Sequence, residues 1–131
     1  MWVLGLSGGY FHDAAACLIK DGKIVFYIEE ERLTGKRHAL DQGARLSIHR
    51  CLEYANISAK DIDIVALSWN PYFPKEIKSL EANDREVTKI LPPHQFPGLK
   101  AKIRVVDHQL AHAAAAYRTS SFKDALVFSL D

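Results

Sequence analysis

Short apolar runs alternate with polar turns along the first 30 residues and predict three strands. The runs cover residues 3–6, 14–19 and 24–28. Asp21-Gly22 separates the second run from the third, and an Asp-Gly pair is a strong hairpin signal because both turn residues must accept a positive φ. Gly8-Gly9 supplies a flexible turn between the first two runs. This pattern predicts an antiparallel three-stranded meander.

The apolar pattern changes to helical spacing after the polar stretch 29–41. Five apolar residues fall on one helical face, and they are Ala44, Ile48, Cys51, Leu52 and Ala55. Asn56 is a typical C-terminal stop for this helix. The nearly continuous apolar run over 62–67 then predicts a fourth strand that is covered on both faces.

All five prolines lie between Pro71 and Pro97, which is the one shift of composition along the chain. Apolar spacing within this segment predicts a helix over 75–91, and the prolines that follow predict an irregular loop over 92–98. A fifth strand is predicted over 103–106.

The last part of the chain predicts a helix and one more strand. Asp107 is a good N-cap for a helix that runs through the alanines 113–116. The run over 125–130 predicts a final strand, and the chain stops within it, which indicates a piece of a longer protein.

The predicted order β-β-β-α-β-α-β-α-β is the plan of a ribonuclease-H-like α/β unit, with a mixed sheet and helices on its faces. The last strand is one more than that plan needs. We therefore predict a first unit over residues 1–120, with a proline-rich variable segment over 70–102. Residues 121–131 would be the first strand of a second, truncated unit.

Composition narrows the function classes. The chain has 131 residues, 48% of them hydrophobic, and a formal net charge of +1. This near-neutral balance does not favour nucleic-acid binding. No apolar run approaches the roughly 18 residues that a membrane helix needs, and we expect no signal peptide, because the chain opens directly on a predicted strand. Cys17 and Cys51 form no CxxC pair and are predicted to be buried thiols, so we expect a cytoplasmic protein.

His108 and His112 are four residues apart on the last predicted helix. That spacing places both imidazoles on one face, where they can bind one divalent metal ion. They follow the end of a strand, which is where ligands gather in open α/β sheets. Asp107 is expected to cap the helix or to support a ligand. The alternative is a pair of partly exposed surface histidines.

Two further stretches could carry chemistry. In Ser7-Gly8-Gly9, backbone amides can approach a phosphate closely, and His12 can donate to a phosphate or carbonyl oxygen while Asp13 holds its other nitrogen. The alternative is a hairpin loop with polar tips. The run 29–38 changes from acidic to basic residues, and is either a solvated charge run or a loop over an anion.

Taken together, these stretches resemble one family, the ATP-dependent O-carbamoyltransferases of nodulation-factor and antibiotic biosynthesis. The matching pieces occur in the family's order and are 4–16 (LGLSGGYFHDAAA), 29–34 (EEERLT) with 36–38 (KRH), 106–117 (VDHQLAHAAAAY) and 125–131 (ALVFSLD). The proline-rich middle matches least. The resemblance implies the amino-terminal part of such an enzyme, with the ribonuclease-H-like fold of the actin and sugar-kinase superfamily.

The resemblance also implies a reaction. Carbamoyl phosphate and ATP would give carbamoyl adenylate, and the carbamoyl group would then pass to a hydroxyl of an acceptor. A divalent metal, most often iron, with zinc or manganese as alternatives, would hold an adenylate phosphate. A fragment that lacks the remaining domains would be inactive alone.

The resemblance implies roles for particular residues. His108, His112 and Asp131 match the metal ligands. His12, Lys36 and Arg37 match catalytic positions that face the carbamoyl adenylate, while Ser7, Gly8, Gly9 and His12 would bind the cofactor.

Two other classes of function stay open. One is a non-enzymatic ribonuclease-H-like interaction module, in which the last strand pairs with a second copy to make a homodimer. The other is a phosphotransferase of the sugar-kinase type. The histidine pair disfavours that class, because such enzymes hold Mg²⁺ mostly with carboxylates and waters.

Overall fold

The computed structural model describes residues 1–9, 12–69, 79–81 and 84–130. Its strands are β1 Trp2–Ser7, β2 Ala15–Lys20, β3 Lys23–Glu29, β4 Ile64–Leu67, β5 Ser79–Leu80 and β6 Lys102–Val105. Its α-helices are α1 Glu30–Thr34, α2 Arg45–Ala55, α3 Arg85–Ile90 and α4 His108–Thr119. Short 3-10 helices cover Arg37–Ala39 and Ala59–Asp61.

The strands form one mixed sheet in the order β3-β2-β1-β4-β6-β5. The predicted meander is confirmed, since β1 pairs with β2 and β2 with β3, both antiparallel. The Asp21-Gly22 turn has the expected positive φ angles of 48° and 80°. β1, β4 and β6 pair in parallel, so their carboxyl ends meet at one edge of the sheet.

The core lies between one face of the sheet and the helices α2 and α3. The predicted apolar face of α2 is confirmed by its buried residues Ile48, Cys51 and Leu52 and by its buried N-cap residue Ala44, while Ala55 is partly buried. The helix ends at Asn56 with a left-handed φ of 52°. The partners of the buried helix residues are alternate residues of the strands, which are Leu4, Leu6, Ala16, Leu18, Val65, Leu67 and Ile103. Burial of apolar surface is the main favourable contribution to the free energy of folding.

The second face of the sheet is less buried at β4 than the sequence predicted. Val65 and Leu67 are buried, but Ile64 and Ala66 alternate with them and are only partly buried. No residue of α4 is buried. The expectation of a strand covered on both faces is therefore wrong for the part of the chain that the structure describes.

One helix prediction needs correction, and one helix was not predicted. The helix predicted over 75–91 is restricted to α3, because Asp84 starts it by accepting a hydrogen bond from Glu86 N at 2.9 Å, and residues 79–80 pair with β6 as β5. Residues 75–78 lie outside the described residues. Sequence reasoning also missed α1, which occupies only five residues and ends at Gly35 in the left-handed region (φ 68°).

The predicted final strand over 125–130 does not form. This segment lies along α4 instead, where the Ser129 hydroxyl donates to the Gln109 side chain and Val127 lines a shallow pocket together with Tyr117. Alternate side chains, Leu126, Phe128 and Leu130, are exposed. A strand requires a neighbouring backbone with which to pair, and the described residues supply none to this segment.

Cys17 and Cys51 are both free thiols, Cys51 buried and Cys17 partly buried. Burial, followed by the neighbouring Cys17, raises the pKa of Cys51 to about 12. Because the thiolate is the reactive form, we expect Cys51 to resist Ellman's reagent at mildly alkaline pH until the protein unfolds.

The low reactivity of Cys51 is tested best in a Cys17→Ser variant, where Cys51 is the remaining thiol. Slow labelling in native buffer and fast labelling in guanidinium are the expected results. Native labelling as fast as that of a free thiol would contradict the burial of Cys51.

Among the described residues, the chain has no helix with the length and apolar character required to cross a membrane.

Candidate functional site

Loops from three parallel strands meet at the carboxyl edge of the sheet. Gly8-Gly9 follows β1, Ser68-Trp69 follows β4, and Asp107-His108 follows β6. The end of β3 lies at the same edge, since Ser7 pairs with Ala15 and Ala15 with Glu29. The fold therefore brings three distant stretches of sequence to one place, which is where open α/β sheets bind ligands.

The glycine loop requires glycine at Gly8. Its φ is +75°, and a Cβ atom there would lie 2.3 Å from His12 O and 2.5 Å from Ala14 N. Gly9 also has a positive φ (+53°), and a Cβ atom on it would lie 3.0 Å from the Trp69 ring. The loop is thus packed against its own backbone and against the loop that follows β4.

His12, Asp13 and His38 form a hydrogen-bonded cluster beside this loop. The two oxygens of Asp13 lie 2.9 Å from His12 Nδ1 and 2.8 Å from His38 Nδ1. Asp13 N also donates to His38 O at 2.7 Å. The hydrogen bond from His38, and then that from His12, holds the pKa of the Asp13 carboxyl below its ordinary value.

Glu31 also contacts His38, because its Oε2 accepts a hydrogen bond from His38 N at 2.8 Å. Ligand atoms of Asp13, Glu31 and His38 lie within 4.8 Å of one another. Sequence reasoning paired Asp13 with His12 and placed His38 only in the charged run 29–38, so it missed the contact between Asp13 and His38, which are 25 residues apart. The meander was the available signal, since it places the start of β2 beside the end of β3.

Lys36 and Arg37 do not join this cluster through any contact among the described residues. Lys36 lines a separate cavity together with Arg45 and Lys89. Arg37 is exposed in the 3-10 helix. The structure therefore separates the three basic residues that the sequence grouped, with His38 at the sheet edge and Lys36 in the cavity.

His108 and His112 converge on α4. Their Nε2 atoms are 3.1 Å apart, and their rings meet edge-on with an interplanar angle of 81°. Two nitrogens that each lie about 2.1 Å from one metal ion are about 3.0 Å apart at a right angle and about 3.4 Å apart at the tetrahedral angle, so the observed separation is compatible with a shared ion.

The loop after β4 positions His108. Its Nδ1 lies 3.2 Å from Ser68 O, and because a carbonyl oxygen can only accept, Nδ1 donates this hydrogen bond and the ring is oriented with Nε2 toward His112. Asp107 is the predicted cap, accepting from Leu110 N at 2.8 Å. The third predicted ligand, Asp131, lies outside the described residues.

Residues 68 and 69 connect the histidine pair to the glycine loop. Ser68 O faces His108, while the Trp69 ring packs on Gly9. Two backbone hydrogen bonds join the ends of these strands. Ser68 N donates to Leu6 O at 3.1 Å, and Val106 N donates to Leu67 O at 2.8 Å. The two predicted sites are therefore neighbours at one sheet edge.

Glu30 has a structural role that sequence reasoning missed. Its side chain is 2% exposed and accepts from Leu46 N at 2.9 Å, Ser47 N at 2.8 Å and Ser47 Oγ at 2.6 Å. These groups belong to the first turn of α2, whose N-cap residue Ala44 supplies no side-chain bond. The absence of a capping side chain at Ala44 was the sequence signal that a group from elsewhere in the chain accepts the hydrogen bonds of this first turn.

Comparison with known proteins adds a family match. The family described as "Carbamoyltransferase N-terminus" matches residues 2–82. Nodulation protein NolNO of Sinorhizobium fredii is 30% identical over 158 residues, covering 100% of this chain and 23% of that protein. The uncharacterised protein sll1178 of Synechocystis is 30% identical over 165 residues, with 98% and 25% coverage. The chain spans about a quarter of the length of these curated relatives.

Solved structures share the fold. YeaZ from Pseudomonas aeruginosa superposes with a TM-score of 0.57 at 15% identity, covering 91% of this chain and 51% of that one. An uncharacterised protein with similarity to peptidase YEAZ gives a TM-score of 0.50, also at 15% identity, with 90% and 48% coverage. The ribonuclease-H-like α/β class predicted from the sequence is confirmed.

Proposed function

Because this chain belongs to the carbamoyltransferase N-terminus family, we propose that it is the amino-terminal part of an enzyme that carbamoylates an acceptor hydroxyl. The donor in this proposal is carbamoyl phosphate, which ATP converts to carbamoyl adenylate. The chain spans about a quarter of its curated relatives, so the complete reaction is assigned to the whole protein, and this chain alone is expected to be inactive.

The observation that carries the proposal is the convergence of His108 Nε2 and His112 Nε2 at 3.1 Å. Together with the carbonyl of Ser68 behind His108, it supports a divalent cation held by the pair, with Asp131 as the proposed third ligand. Iron, zinc and manganese all suit imidazole ligands. A bound ion would supply Lewis-acid and orienting chemistry at an adenylate phosphate.

The glycine loop and the start of α4 would receive the phosphate. Ser7, Gly8 and Gly9 can present backbone amides to a phosphate. At the two glycines, no side chain blocks a close approach. The amino end of α4 adds a partial positive charge at the same edge. Both features favour an anion beside the histidine pair.

His12 would act on the carbamoyl adenylate. Asp13 holds Nδ1 of His12 at 2.9 Å, which fixes the orientation of the ring and leaves Nε2 for the ligand. A protonated His12 would donate from Nε2 to a phosphate or carbonyl oxygen. The catalytic roles of Lys36 and Arg37 stay predictions.

Metal binding tests the proposal directly. We expect the chain to bind iron, zinc or manganese, and a His108→Ala/His112→Ala variant to bind at least about 100-fold more weakly, since it lacks both nitrogen ligands. Elemental analysis after dialysis and titration with each metal measure this effect.

A His49→Ala variant is the control for metal binding. It removes an exposed helical histidine that stacks on Phe96 (ring centroids 4.9 Å apart), and its metal affinity should match that of the unchanged chain. Equal affinity in the double variant, or no affinity in the unchanged chain and in the full-length parent protein, would overturn the proposed centre.

A further inference from the structure

A polar cavity of about 610 Å³ lies between α1, the first turn of α2 and the loop after α3. Side chains able to bind a polar ligand line it, and they include Thr34, Lys36, Asp41, Arg45, Lys89 and His94. None of the residues assigned to metal or phosphate at the sheet edge lines it. Its volume falls in the range of small-molecule sites, about 300–1,000 Å³.

Two of the three Lys and Arg cations that line this cavity make no ion pair among the described residues. Lys89 is paired with Glu86 at 2.7 Å, but Lys36 and Arg45 have no ion-pair partner among the described residues. Glu30 also borders the cavity, yet both of its oxygens accept hydrogen bonds from α2. Lys36 and Arg45 are exposed at the cavity, so their charged N–H groups are accessible to an oxyanion.

Asp41 makes the cavity more selective than a simple basic patch. It is the remaining carboxylate of the lining, and it lies in a turn with a positive φ of 57°. An ionised carboxylate accepts hydrogen bonds and does not donate them. A ligand that offers hydroxyl donors to Asp41 and an oxyanion to the cations would satisfy both sets of groups.

We propose that this cavity binds a hydroxylated organic oxyanion, with Arg45 and Lys36 on the phosphate or carboxylate and Asp41 on the hydroxyl groups. The planar guanidinium of Arg45 suits both oxyanions because it presents paired donors. The proposal gives Lys36 a binding role and does not depend on the proposed metal centre. The ligand could be a phosphate ester or a sugar acid, and the two are separated by experiment.

Isothermal titration of the full chain tests the proposal with three probes, which are glycerol phosphate, glucuronate and uncharged glucose. We expect at least one of the two anions to bind with millimolar or better affinity, and glucose to bind at least about tenfold more weakly because it lacks the charge. The anion that binds more tightly identifies the source of the oxyanion. Binding of neither anion, or equal binding of glucose, would overturn the proposal.

Matched variants of α2 locate the site. Arg45→Gln removes a cation of the cavity, whereas Arg50→Gln removes one that is paired with Glu53 at 2.7 Å and does not line the cavity. We expect Arg45→Gln to weaken anion binding at least about tenfold and Arg50→Gln to leave it unchanged. Equal effects of the two variants would contradict the assignment.

A third variant separates this site from nonspecific attraction. Asp41→Asn removes a negative charge, so a purely electrostatic site would bind acetate and glucuronate, which carry the same single charge, more tightly by the same factor. The proposed hydroxyl contact predicts that glucuronate gains less than acetate, which has no hydroxyl group. Equal gains would overturn the role of Asp41, and circular dichroism of each variant verifies that the fold is retained.

Discussion

Replacing Gly8 with alanine is expected to destabilise the chain by about 3 kcal/mol, because the left-handed backbone costs about 1–2 kcal/mol for an L-residue and overpacking costs about 1–3 kcal/mol. The new Cβ atom would lie 2.3 Å from His12 O and 2.7 Å from Ala14 Cα. Both contacts are with backbone, so the loop itself must move. Urea unfolding measures the loss of free energy.

The same substitution should disturb the site. The loop that must move carries His12 and Asp13, so the contact between Asp13 and His38 should weaken, and the imidazole resonances of His12 and His38 should shift in NMR spectra.

Gly22→Ala is the matched control for Gly8. Gly22 also has a positive φ (+80°), but a Cβ atom added there would have no other atom within 4 Å. Its replacement should therefore cost only the backbone term, about 1–2 kcal/mol. Equal losses at the two glycines would show that the crowding around Gly8 is unimportant.

Glu30→Ala should have an effect of similar size. It removes the carboxylate that accepts three hydrogen bonds from the first turn of α2 and leaves the buried Ser47 hydroxyl without that acceptor. Loss of a cap costs about 0.5–2 kcal/mol and a buried unsatisfied donor about 1–3 kcal/mol. We expect a loss of about 3 kcal/mol in the free energy of unfolding, measured with urea.

Two further variants control for charge and for shape. Glu53→Ala removes an exposed carboxylate that is paired with Arg50 on the same helix, and should cost less than about 1 kcal/mol. Glu30→Gln retains one acceptor oxygen and should lie between Glu30→Ala and the unchanged chain. A loss in Glu30→Ala no larger than that in Glu53→Ala would contradict the capping role.

Short-range patterns were sufficient for much of the fold. The Asp21-Gly22 turn, the apolar face of α2, its end at Asn56 and the cap at Asp107 all depend on interactions within a few residues. The sheet class could also be predicted, because three consecutive apolar runs separated by turns leave few topologies for the strands that follow.

The errors occurred where a partner lies far away in the chain. The run over 125–130 has the apolar character of a strand, but it extends along α4 because no neighbouring strand is available to it among the described residues. The short strand β5 exists because residues 79–80 pair with β6, which two residues of sequence cannot indicate. Strand formation is a property of pairing more than of local propensity.

The candidate site also combines features set by local sequence with features set by contacts between distant residues. The spacing of His108 and His112 by itself determined that their side chains share one helical face, because a helix repeats every 3.6 residues. Only the tertiary structure decided that Ser68, 40 residues from His108, lies behind that pair, that His38 meets Asp13, and that Lys36 shares a cavity with Arg45. The physical reason is that helical spacing is set by local backbone geometry. These contacts instead require strand pairing and helix packing to bring distant parts of the chain together.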